Sequence, residues 1–537
     1  MAFIANYKVV KIKNIPFSQS ISTLLPYEIP ERYRNSFYLA NAAFFDSTNW
    51  FLHRAYEVIF PTLKKRLSEL EPYTLQSNNK VAEKVEQIVR ILDQCNSVID
   101  VRFPFKRDDG SYEVVRGFRA HHGLTTGYAS CLGGLRINEN ITRDHMKALS
   151  VLSTYRNACM GINMAGAHGG IKICPKNYSE NELQNIVELY TAELIKKGYC
   201  TYNLTIGGER DVIQPDINTS EREMSWISTS FAKYTGQSLN VAAAGKPSEY
   251  GGIENYEKMS SHGTFLTMDF FLNNEPLMTK IGLTKGMKGK TFIIQGLGKL
   301  GAPLSNQLVY NGAVCVGVKE KAAYIYDPNG INLNQLYEHK AKTGSIENFG
   351  PCKAYENDSI YTEQCDILIF AAHQKSLICY IANDVKAKMI VEAADGPISP
   401  TSHKILTGRS KLVVPDIYAC SGATIASYLE YLKNMNQMRI CQGELLRFSR
   451  NVYENILNRI SEEEQKIAVS GSSVQSVSPE VHPSVIADSV EYVLTDTSNE
   501  IVRLLDLHQL RTDIRTAAYM VAIENIFSTL FYQKKFL

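Results

Sequence analysis

Apolar residues recur at intervals of three and four positions between residues 36 and 97, first in SFYLANAAFFDSTNWFLHRAYEVIF and then in VAEKVEQIVRILDQ. This spacing is typical of amphipathic helices, and we expect these helices to serve packing and assembly. The next segment, VIDVRFPFKRDDGSYEVVRGFRAHH, alternates apolar and polar positions on both sides of an Asp-Asp-Gly turn. Alternation around such a turn predicts a β-hairpin, at which a sheet begins.

The following segment alternates between helical and strand-like patterns. TRDHMKALSVLSTYRNACMG predicts a helix, and GGIKI predicts a short strand. Ser179 with Glu182, and Ser220 with Glu223, have the spacing of a capping box, in which each side chain accepts a hydrogen bond from the other residue's backbone amide. We therefore expect a helix to begin after each serine.

A different pattern occupies about residues 285 to 420, where short apolar runs alternate with helical segments. The runs are TFIIQ, AVCVGV, DILIFAA, KMIVEAA and KLVVPD. Five parallel strands explain this pattern most simply. Beyond residue 421, ATIASYLEYLKNM and GELLRFSRNVYENILNRISEEEQKIA predict helices, and a loop rich in Ser, Gly and Pro follows the second. Helices close the chain.

Composition places the chain among ordinary globular proteins. Its 537 residues, at roughly 150 residues per domain, predict three or four domains. With 44% hydrophobic and 21% charged residues, it resembles neither disordered nor fibrous proteins. The 57 basic and 55 acidic residues give a formal charge of +2, which is too balanced to indicate a nucleic-acid or membrane-surface partner. No apolar run reaches the roughly 18 residues of a transmembrane helix.

The 11 cysteines are scattered, without a CxxC pair or a Cys/His cluster at zinc spacing. We expect neither a disulfide framework nor a metal site, and the cysteine usage indicates a reducing compartment. The first 27 residues contain three lysines, several hydroxyl residues and no acid. This composition resembles a mitochondrial transit peptide and predicts a mitochondrial matrix protein. An ordinary basic strand or arm explains it equally well.

A glycine motif follows the first of the five apolar runs. Gly296, Gly298 and Gly301 form GLGKLG between TFIIQ and a predicted helix, which is the context of a dinucleotide-binding turn. The glycines permit a tight turn, a close approach of a pyrophosphate and close packing of helix on strand. Glu320, at the end of the next predicted strand, is placed to accept hydrogen bonds from ribose hydroxyls. The alternatives are a glycine turn without a ligand and a surface ion pair of Glu320.

The sequence after about residue 85 resembles the animal-type hexameric glutamate dehydrogenases of the Glu/Leu/Phe/Val dehydrogenase superfamily. The matching stretches include FPFKRDDGSYEVVRGFRAHH, GGLR, KNYSENEL, INTSEREMSWI, KGKTFIIQGLGKLG, CDILIFAA, VVPDIY, SYLEYLKN and IRTAAYMVAIENIF. The resemblance implies an α/β fold with an α/β substrate domain, a doubly wound Rossmann-type domain that binds NAD or NADP, and a helical antenna. It also implies a homohexamer, into which an active paralogue could mix.

We predict five segments from this resemblance. They are an arm or transit segment at 1–35, a helical N-terminus and substrate or assembly domain at 36–245, a Rossmann-type cofactor domain at 246–435, an antenna at 436–482 and C-terminal helices at 483–537. The family reaction oxidises glutamate with a nicotinamide cofactor to an imine, which water converts to 2-oxoglutarate and ammonia. Such chemistry needs cations for two substrate carboxylates, a base of lowered pKa and a carboxylate that shuttles protons.

The resemblance assigns substrate binding to Leu132, Arg136, Arg156 and Ser427. In the family a lysine precedes a GG-x-R turn and binds the side-chain carboxylate of the substrate, whereas this sequence has Leu132 in CLGGLR. A buried carboxylate without its partner costs about 2 to 5 kcal/mol, and Arg136 alone does not replace that lysine. Arg156 stands in place of a second lysine, which keeps the charge and changes the donor geometry. Ser427 keeps the position of a substrate-contacting serine.

The catalytic positions are His168 and Asp216. The family's catalytic lysine belongs in a glycine-rich turn, and here AGAHGGIK has His168 in its place. Imidazole can act as a base near neutral pH, but a missing or misplaced general base costs roughly 10²- to 10⁴-fold in rate. Asp216 in QPDINTSEREM matches the family's proton-shuttling aspartate.

Four positions that face the cofactor are also changed. The family's arginine before an ATG turn aligns with Tyr256, and its nicotinamide-facing threonine aligns with Ser260. Asp395 in AADGP and Cys420 in PDIYAC each replace an asparagine. The changes concentrate where substrate and nicotinamide meet, which drift alone does not easily explain.

We therefore expect a family member with little or no catalysis, lacking the catalytic lysine and acting as a structural or regulatory homologue. The alternative is an active amino-acid dehydrogenase, on glutamate or on a more apolar amino acid, because Leu132 resembles the residue of the leucine, valine and phenylalanine enzymes. That alternative requires His168 to serve as the base. A third function, nucleic-acid binding by the Rossmann domain, lacks a basic stripe in the sequence.

Overall fold

The structure is a computed structural model of the chain. It describes residues 27–34, 36–70, 78–126, 128, 130–199, 202–203, 208–209, 211–236, 241–321, 323–355, 357–372, 374–435 and 483–532. Two predictions, the basic segment before residue 27 and the antenna at 436–482 with its long helix, lie outside the described residues.

The helices and strands follow the βα alternation that the sequence predicts. The α-helices are α1 (Ser36–Ala40), α2 (Phe44–Leu70), α3 (Asn78–Leu92), α4 (Arg143–Cys159), α5 (Glu180–Lys196), α6 (Glu221–Thr235), α7 (Tyr256–Asn273), α8 (Glu275–Ile281), α9 (Gly301–Tyr310), α10 (Leu333–Thr343), α11 (Cys379–Ala382), α12 (Pro400–Gly408), α13 (Asp416–Ala419), α14 (Gly422–Asn434), α15 (Pro483–Leu507) and α16 (Ile514–Tyr532). The strands are β1 (Ser97–Lys106), β2 (Tyr112–His122), β3 (Cys131–Ile137), β4 (Ala165–Ile171), β5 (Tyr202–Asn203), β6 (Gly208–Glu209), β7 (Asp211–Pro215), β8 (Thr291–Gln295), β9 (Val314–Lys319), β10 (Tyr324–Tyr326), β11 (Lys353–Tyr355), β12 (Ile367–Phe370), β13 (Met389–Glu392) and β14 (Leu412–Val414).

The first sheet has the strand order β1-β2-β4-β3-β7. Strands β1 and β2 form the antiparallel hairpin that the Asp-Asp-Gly turn predicts. Strands β3, β4 and β7 run parallel to one another. Since the carboxyl ends of parallel strands meet at one edge of a sheet, this edge collects the side chains that end or follow β3 and β7.

The second sheet has the order β11-β10-β9-β8-β12-β13-β14. Five neighbouring strands of this sheet pair in parallel, in the order β9-β8-β12-β13-β14. This confirms the five apolar runs as parallel strands. The chain passes from β8 to β9 on one side and later to β12 on the other side of β8. Ligands of doubly wound sheets bind at such a reversal of strand order, and the glycine turn follows β8 directly.

Two glycine segments that the sequence predicts as turns are strands in the structure. GG-x-R lies within β3, and the segment with His168 lies within β4. The reason is close packing between neighbours, because a Cβ at Gly133 would lie 1.6 Å from the carbonyl oxygen of Ala167 on β4. A Cβ at Gly166 would likewise lie 2.2 Å from the backbone nitrogen of Thr154 on α4. These glycines permit contact and do not bend the chain.

Both predicted capping boxes begin helices. The Ser179 hydroxyl accepts from the Glu182 amide at 3.1 Å, and the Glu182 carboxylate accepts from the Ser179 amide at 2.9 Å, at the start of α5. At the start of α6, the Glu223 carboxylate accepts from the Ser220 amide at 2.7 Å. Such caps satisfy amides that have no partner within the helix. The helices between the strands therefore begin where the sequence predicts.

The last helix packs against the first part of the chain. Arg66 on α2 donates to the Ser528 hydroxyl of α16 at 3.3 Å, and Asn525 of α16 donates to the carbonyl of Ala158 at the end of α4 at 2.8 Å. One hydrophobic cluster contains Leu132 of β3 together with residues of β8 and α16. The two sheets and both ends of the described chain therefore share one apolar core.

Among the helices that the structure describes, none combines the length and apolar composition of a membrane crossing. Within the same residues, His, Cys, Asp and Glu side chains do not form a group of three or more that could hold a metal ion.

Candidate active site

The parallel strands of the first sheet bring three predicted residues together. Arg136 is near the carboxyl end of β3, His168 lies on neighbouring β4, and Asp216 directly follows β7. Gly134 lies between them, since a Cβ there would be 2.6 Å from His168 Cε1 and 3.0 Å from Asp216 Cβ. Any larger residue at Gly134 would separate the imidazole from the carboxylate.

His168 and Asp216 form a close pair. His168 Nε2 lies 2.8 Å from Asp216 Oδ2. The approach is poorly aligned, because Nε2 has no hydrogen-bond partner of good geometry within the described part of the chain. Burial lowers the pKa of His168, the nearby Arg136 lowers it further, and Asp216 opposes both effects. Burial and Arg136 therefore disfavour the protonated form of the imidazole.

Three short ion pairs meet at this point, and the two made by Asp395 join the first part of the chain to the second sheet. Arg136 Nε lies 2.5 Å from Asp216 Oδ2, and Arg136 Nη2 lies 2.5 Å from Asp395 Oδ2. Arg156 Nη2 on α4 lies 2.6 Å from Asp395 Oδ1. Asp395 follows β13 of the second sheet, so its carboxylate connects the Rossmann-type sheet to Arg136 of β3 and Arg156 of α4. Two guanidinium groups and two carboxylates balance to zero charge.

Electrostatics keeps both carboxylates ionised. Burial alone would raise the pKa of Asp216, but Arg136 and His168 outweigh it and hold this pKa well below its ordinary value. Burial likewise opposes ionisation of Asp395, and Arg156 and Arg136 lower its pKa. A buried charge is tolerated when it is paired in this way. The four charged groups therefore stabilise one another without a ligand.

Two predicted substrate positions are enclosed. The Leu132 side chain is fully buried in the hydrophobic cluster and offers no charge to a carboxylate. Ser427 on α14 is also fully buried, and its hydroxyl lies 2.8 Å from the hydroxyl of Tyr256 on α7. Tyr256, which the resemblance aligns with an arginine of the family, is thus the hydrogen-bond partner of Ser427.

The glycine turn has the backbone geometry of a dinucleotide-binding turn. Gly296 has a φ of 92°, in the left-handed region that favours glycine. A Cβ at Gly301 would lie 1.9 Å from the Gly296 carbonyl oxygen, whereas a Cβ at Gly298 would meet no atom within 4 Å. Gly296 and Gly301 are therefore required by the turn itself. Gly298 leaves open space before the start of α9.

Glu320 lies beside this turn. Its Oε1 accepts from the Leu297 amide at 3.2 Å and from the Lys340 ammonium at 2.6 Å. The alternative prediction, an ion pair of Glu320, is therefore also observed, with Lys340 as the partner. Lys319 pairs with Asp358. The carboxylate thus contacts both the glycine turn and Lys340.

Cys420 and Ser260, two further predicted positions, do not take part in the ion pairs of this site. Cys420 follows α13, and its thiol donates to the Glu392 carbonyl at 3.4 Å. Burial raises the pKa of this thiol well above its ordinary range, although Arg156 lowers it. Ser260 lies on α7, outside the group of ion-paired residues. The structure thus collects Arg136, Arg156, His168, Asp216 and Asp395 and leaves Ser260 and Glu320 apart from them.

His145 belongs to the cluster although no sequence motif identified it. Its Nε2 lies 3.3 Å from Arg136 Nη1, and it is the third residue of α4. Burial, with Arg136 and His168 adding to it, lowers the pKa of His145 to about 4. The only signal in the sequence is its place after the Thr142 helix cap, which fixes where the side chain emerges.

Known proteins match both halves of the chain. The model described as Glutamate/Leucine/Phenylalanine/Valine dehydrogenase matches residues 251–481, and its dimerisation-domain counterpart matches residues 95–233. The mitochondrial glutamate dehydrogenase of Dictyostelium discoideum is 30% identical over 455 residues, covering 82% of this chain and 86% of that protein. The chain belongs to the Glu/Leu/Phe/Val dehydrogenase family.

Further glutamate dehydrogenases are similar to this chain in sequence or in fold. The NADP-specific glutamate dehydrogenase of Saccharolobus shibatae is 32% identical over 371 residues, covering 69% of this chain and 84% of that protein. A hetero-hexameric glutamate dehydrogenase of Thermus thermophilus in a leucine-bound form has a TM-score of 0.66 at 22% identity, covering 85% of this chain and 96% of that one. Glutamate dehydrogenase 2 of Plasmodium falciparum has a TM-score of 0.62 at 18% identity, covering 88% and 96%. These structures confirm the predicted two-domain α/β fold of a Glu/Leu/Phe/Val dehydrogenase.

Proposed function

We propose that this Glu/Leu/Phe/Val dehydrogenase family member binds NAD or NADP and has lost most or all amino-acid dehydrogenase activity. It then serves as a structural or regulatory homologue. The observation that carries this proposal is the buried imidazole of His168, 2.8 Å from Asp216, at the position that the resemblance assigns to the catalytic lysine. Among the ion pairs of the described residues, those of Asp216 involve only Arg136 and His168.

The chemistry explains why this replacement matters. A general base must reach the substrate amine and the attacking water, and it must hold a proton during the reaction. Protonation of His168 is disfavoured by burial and by Arg136. Its ring is also shorter than a lysine side chain and is packed against Gly134. We expect at least a 10²-fold loss of turnover, which is about the lower limit for loss of a general base.

The cofactor half of the proposal depends on the turn after β8. The proposal is supported by Gly296 and Gly301, which form the turn, by the open space at Gly298, and by Glu320, which accepts from the amide of Leu297 in the turn. Relatives of this chain include NADP-specific and NAD-specific glutamate dehydrogenases by name. When bound, such a cofactor accepts a hydride from a substrate. The residues here are compatible with a dinucleotide, whereas the substrate side has Leu132 and Arg156 where the resemblance implies lysines.

Steady-state turnover tests the proposal. Purified full-length protein is assayed with glutamate and NAD or NADP, and in reverse with 2-oxoglutarate, ammonium and the reduced cofactor. Calorimetric titration with NADH and NADPH on the same sample shows whether the cofactor domain is intact. We expect cofactor binding with turnover below about 0.1 s⁻¹, a hundredth of the roughly 10 s⁻¹ of a median enzyme. Turnover within tenfold of that median would refute the loss of activity.

An active enzyme with an apolar substrate is the second candidate. The buried, uncharged Leu132 favours it, since an apolar side chain suits an apolar substrate. Leucine, valine and phenylalanine are tested as substrates, followed by the variant His168→Ala. If one of these amino acids is oxidised and the variant is at least 10²-fold slower, His168 is the base and the second candidate is correct. Unchanged turnover of the variant removes His168 from the mechanism.

Assembly and location complete the proposal. We infer a homohexamer, which fits the hetero-hexameric relative of known structure, and mixing with an active paralogue where one is present. The mitochondrial relative from Dictyostelium supports a mitochondrial location. The domain limits at residues 36, 246, 436 and 483 belong to the same proposal. Mass photometry tests the hexamer, and an import assay with and without residues 1–27 tests the location.

A further inference from the structure

We propose that Asp395 is a tethered carboxylate that occupies this chain's own carboxylate-binding site and excludes free carboxylate ligands. The inference deepens the proposed function and rests on it for the location of the site. Replacing the carboxylate by an amide, in Asp395→Asn, is then expected to create binding of a small free carboxylate such as 2-oxoglutarate.

The contacts of Asp395 are those of a bound ligand. Each carboxylate oxygen contacts a different arginine, Oδ1 with Arg156 Nη2 at 2.6 Å and Oδ2 with Arg136 Nη2 at 2.5 Å. The side chains of Arg136, Arg156 and Asp395 are only 8%, 11% and 17% exposed. Charge-assisted pairs of this length are among the strongest polar contacts in proteins. A free carboxylate would have to displace Asp395 to reach either guanidinium at these atoms.

The residue after Asp395 is fixed through both its amide and its carbonyl group. The Gly396 amide donates to Asp416 Oδ2 at 2.8 Å, and the Gly396 carbonyl accepts from the Lys375 amide at 2.9 Å. Gly396 has a φ of 58°, and a Cβ there would lie 2.2 Å from the Phe44 ring. The carboxylate is therefore held at a high effective concentration beside the arginines, as any tethered ligand is.

Arg156 retains a donor that Asp395 does not use. Within the described residues its Nε is buried and has no hydrogen-bond partner. Buried guanidinium nitrogens in proteins are normally paired. The carboxylate of a free ligand beside Arg156 has this Nε as a further donor. The unused donor indicates that the site offers a free carboxylate more contacts than Asp395 supplies.

Charge predicts the class of ligand. In the native chain the two arginines are balanced by Asp216 and Asp395. The variant Asp395→Asn leaves one buried positive charge in excess, which a monoanionic group restores. The site between Arg136 and Arg156 would then select a carboxylate over a neutral or cationic group. The apolar Leu132 lies buried nearby on β3 and adds no charge to this selection.

Titration calorimetry with 2-oxoglutarate tests the inference on the native protein, on Asp395→Asn and on a matched control. The control is Asp358→Asn, whose carboxylate pairs with Lys319 on β9 and is 33% exposed. We expect Asp395→Asn to bind 2-oxoglutarate at least tenfold more tightly than the native protein, and Asp358→Asn to behave as native. Equal affinity of all three proteins would overturn the inference.

A second variant guards against misfolding of the first. Asp395→Asn combined with Arg156→Gln restores neutrality, so it is expected to fold and to lose the gained affinity. If Asp395→Asn is unstable, its melting temperature is measured with and without 2-oxoglutarate. A rise at least twice that of the native protein supports the inference, and an equal response overturns it.

The two proposals fail in different ways. Substantial turnover by the native protein refutes the proposed loss of activity whatever Asp395→Asn binds. An inactive native protein, together with an Asp395→Asn variant that binds NADH normally and gains no carboxylate affinity, refutes only the tethered-carboxylate inference.

Discussion

The side chains of the candidate site show which facts a sequence carries at the scale of single residues. Leu132 and His168 stand in short glycine motifs, so the resemblance predicts that they occupy positions where the family has lysines. The pairing of Asp395 with Arg136 and Arg156 is not predictable in this way, because these partners are 259 and 239 residues apart in the chain. Local motifs therefore support predictions about single positions, whereas the ion pairs between distant segments appear only in the structure.

A second buried cluster provides a residue-scale prediction about pH. Asp211 accepts from Arg119 Nε at 2.8 Å and lies 2.7 Å from His121 Nε2. Burial would raise its pKa, but Arg119 and His121 lower it from 3.8 to about 2. A lowered native pKa gives stability that is present above the unfolded pKa and is lost as the pH falls through the native one. The shift corresponds to about 2 kcal/mol at neutral pH.

We expect Asp211→Asn to lower the free energy of unfolding at pH 7 by about 3 to 5 kcal/mol, since it leaves Arg119 buried without its counter-charge. Because the native carboxylate loses its advantage as it is protonated, the difference from native should narrow between about pH 4 and pH 2. Urea unfolding at several pH values measures this. The half-exposed pair of Asp100 with Arg116 supplies the control Asp100→Asn, with an expected change below about 1 kcal/mol. A pH-independent difference for Asp211→Asn contradicts the prediction.

At the scale of elements, hydrophobic periodicity and helix caps predicted most helices and strands correctly, but they did not predict the shortest strands. The hairpin, the two capped helices and the five parallel strands all lie where their patterns predict. Strands β10 and β11 were missed because each has three residues, too few to show an alternation. They extend the second sheet beyond β9: β10 pairs antiparallel with β9, and β11 pairs antiparallel with β10.

The glycine turn supports an element-scale prediction that separates folding from binding. Gly298→Ala introduces a methyl group into open space, whereas Gly301→Ala places it against the Gly296 carbonyl. We expect Gly298→Ala to keep the native melting temperature. We expect its affinity for NADH to be at least tenfold weaker, because the methyl group occupies space that a pyrophosphate needs. Gly301→Ala is expected to lower the melting temperature. Gly408→Ala at the end of α12, also in open space, is the matched control.

Differential scanning fluorimetry and calorimetric titration with NADH on the three variants test this prediction. Native NADH affinity in Gly298→Ala would mean that no pyrophosphate binds at the turn. It would also remove the main support for a cofactor in the proposed function.

Several contacts that hold the whole molecule together lie between segments distant in sequence. The resemblance predicted the two α/β domains in chain order, and the structure confirms that architecture. It did not predict that α16 packs on α2 and α4, since apolar faces of helices do not identify their partners. The same limit applies to Lys246 and Glu430, which are ordinary charged residues in the sequence and are fully buried in the structure.

Lys246 and Glu430 connect the segment after the first sheet to the helix after the second. Lys246 Nζ lies 2.6 Å from Glu430 Oε1 and also donates to the Ala243 carbonyl, and the Gly245 amide donates to Glu430 Oε2 at 2.8 Å. Both side chains have no exposed surface. Removing one partner of such a pair leaves an uncompensated buried charge and typically costs about 3 to 5 kcal/mol. Replacing both by apolar residues of similar size is often nearly neutral.

We therefore expect Lys246→Met and Glu430→Leu each to lower the free energy of unfolding by about 3 to 5 kcal/mol, and the double variant to lower it by less than either. Because the two residues link both halves through a shared apolar core, each single variant should shift one common transition and should not release one half alone. Urea unfolding followed by far-ultraviolet circular dichroism and by fluorescence of Trp50 and Trp226 measures both expectations. Additive losses in the double variant would show that the pair is not coupled, and separate transitions would show that the halves unfold independently.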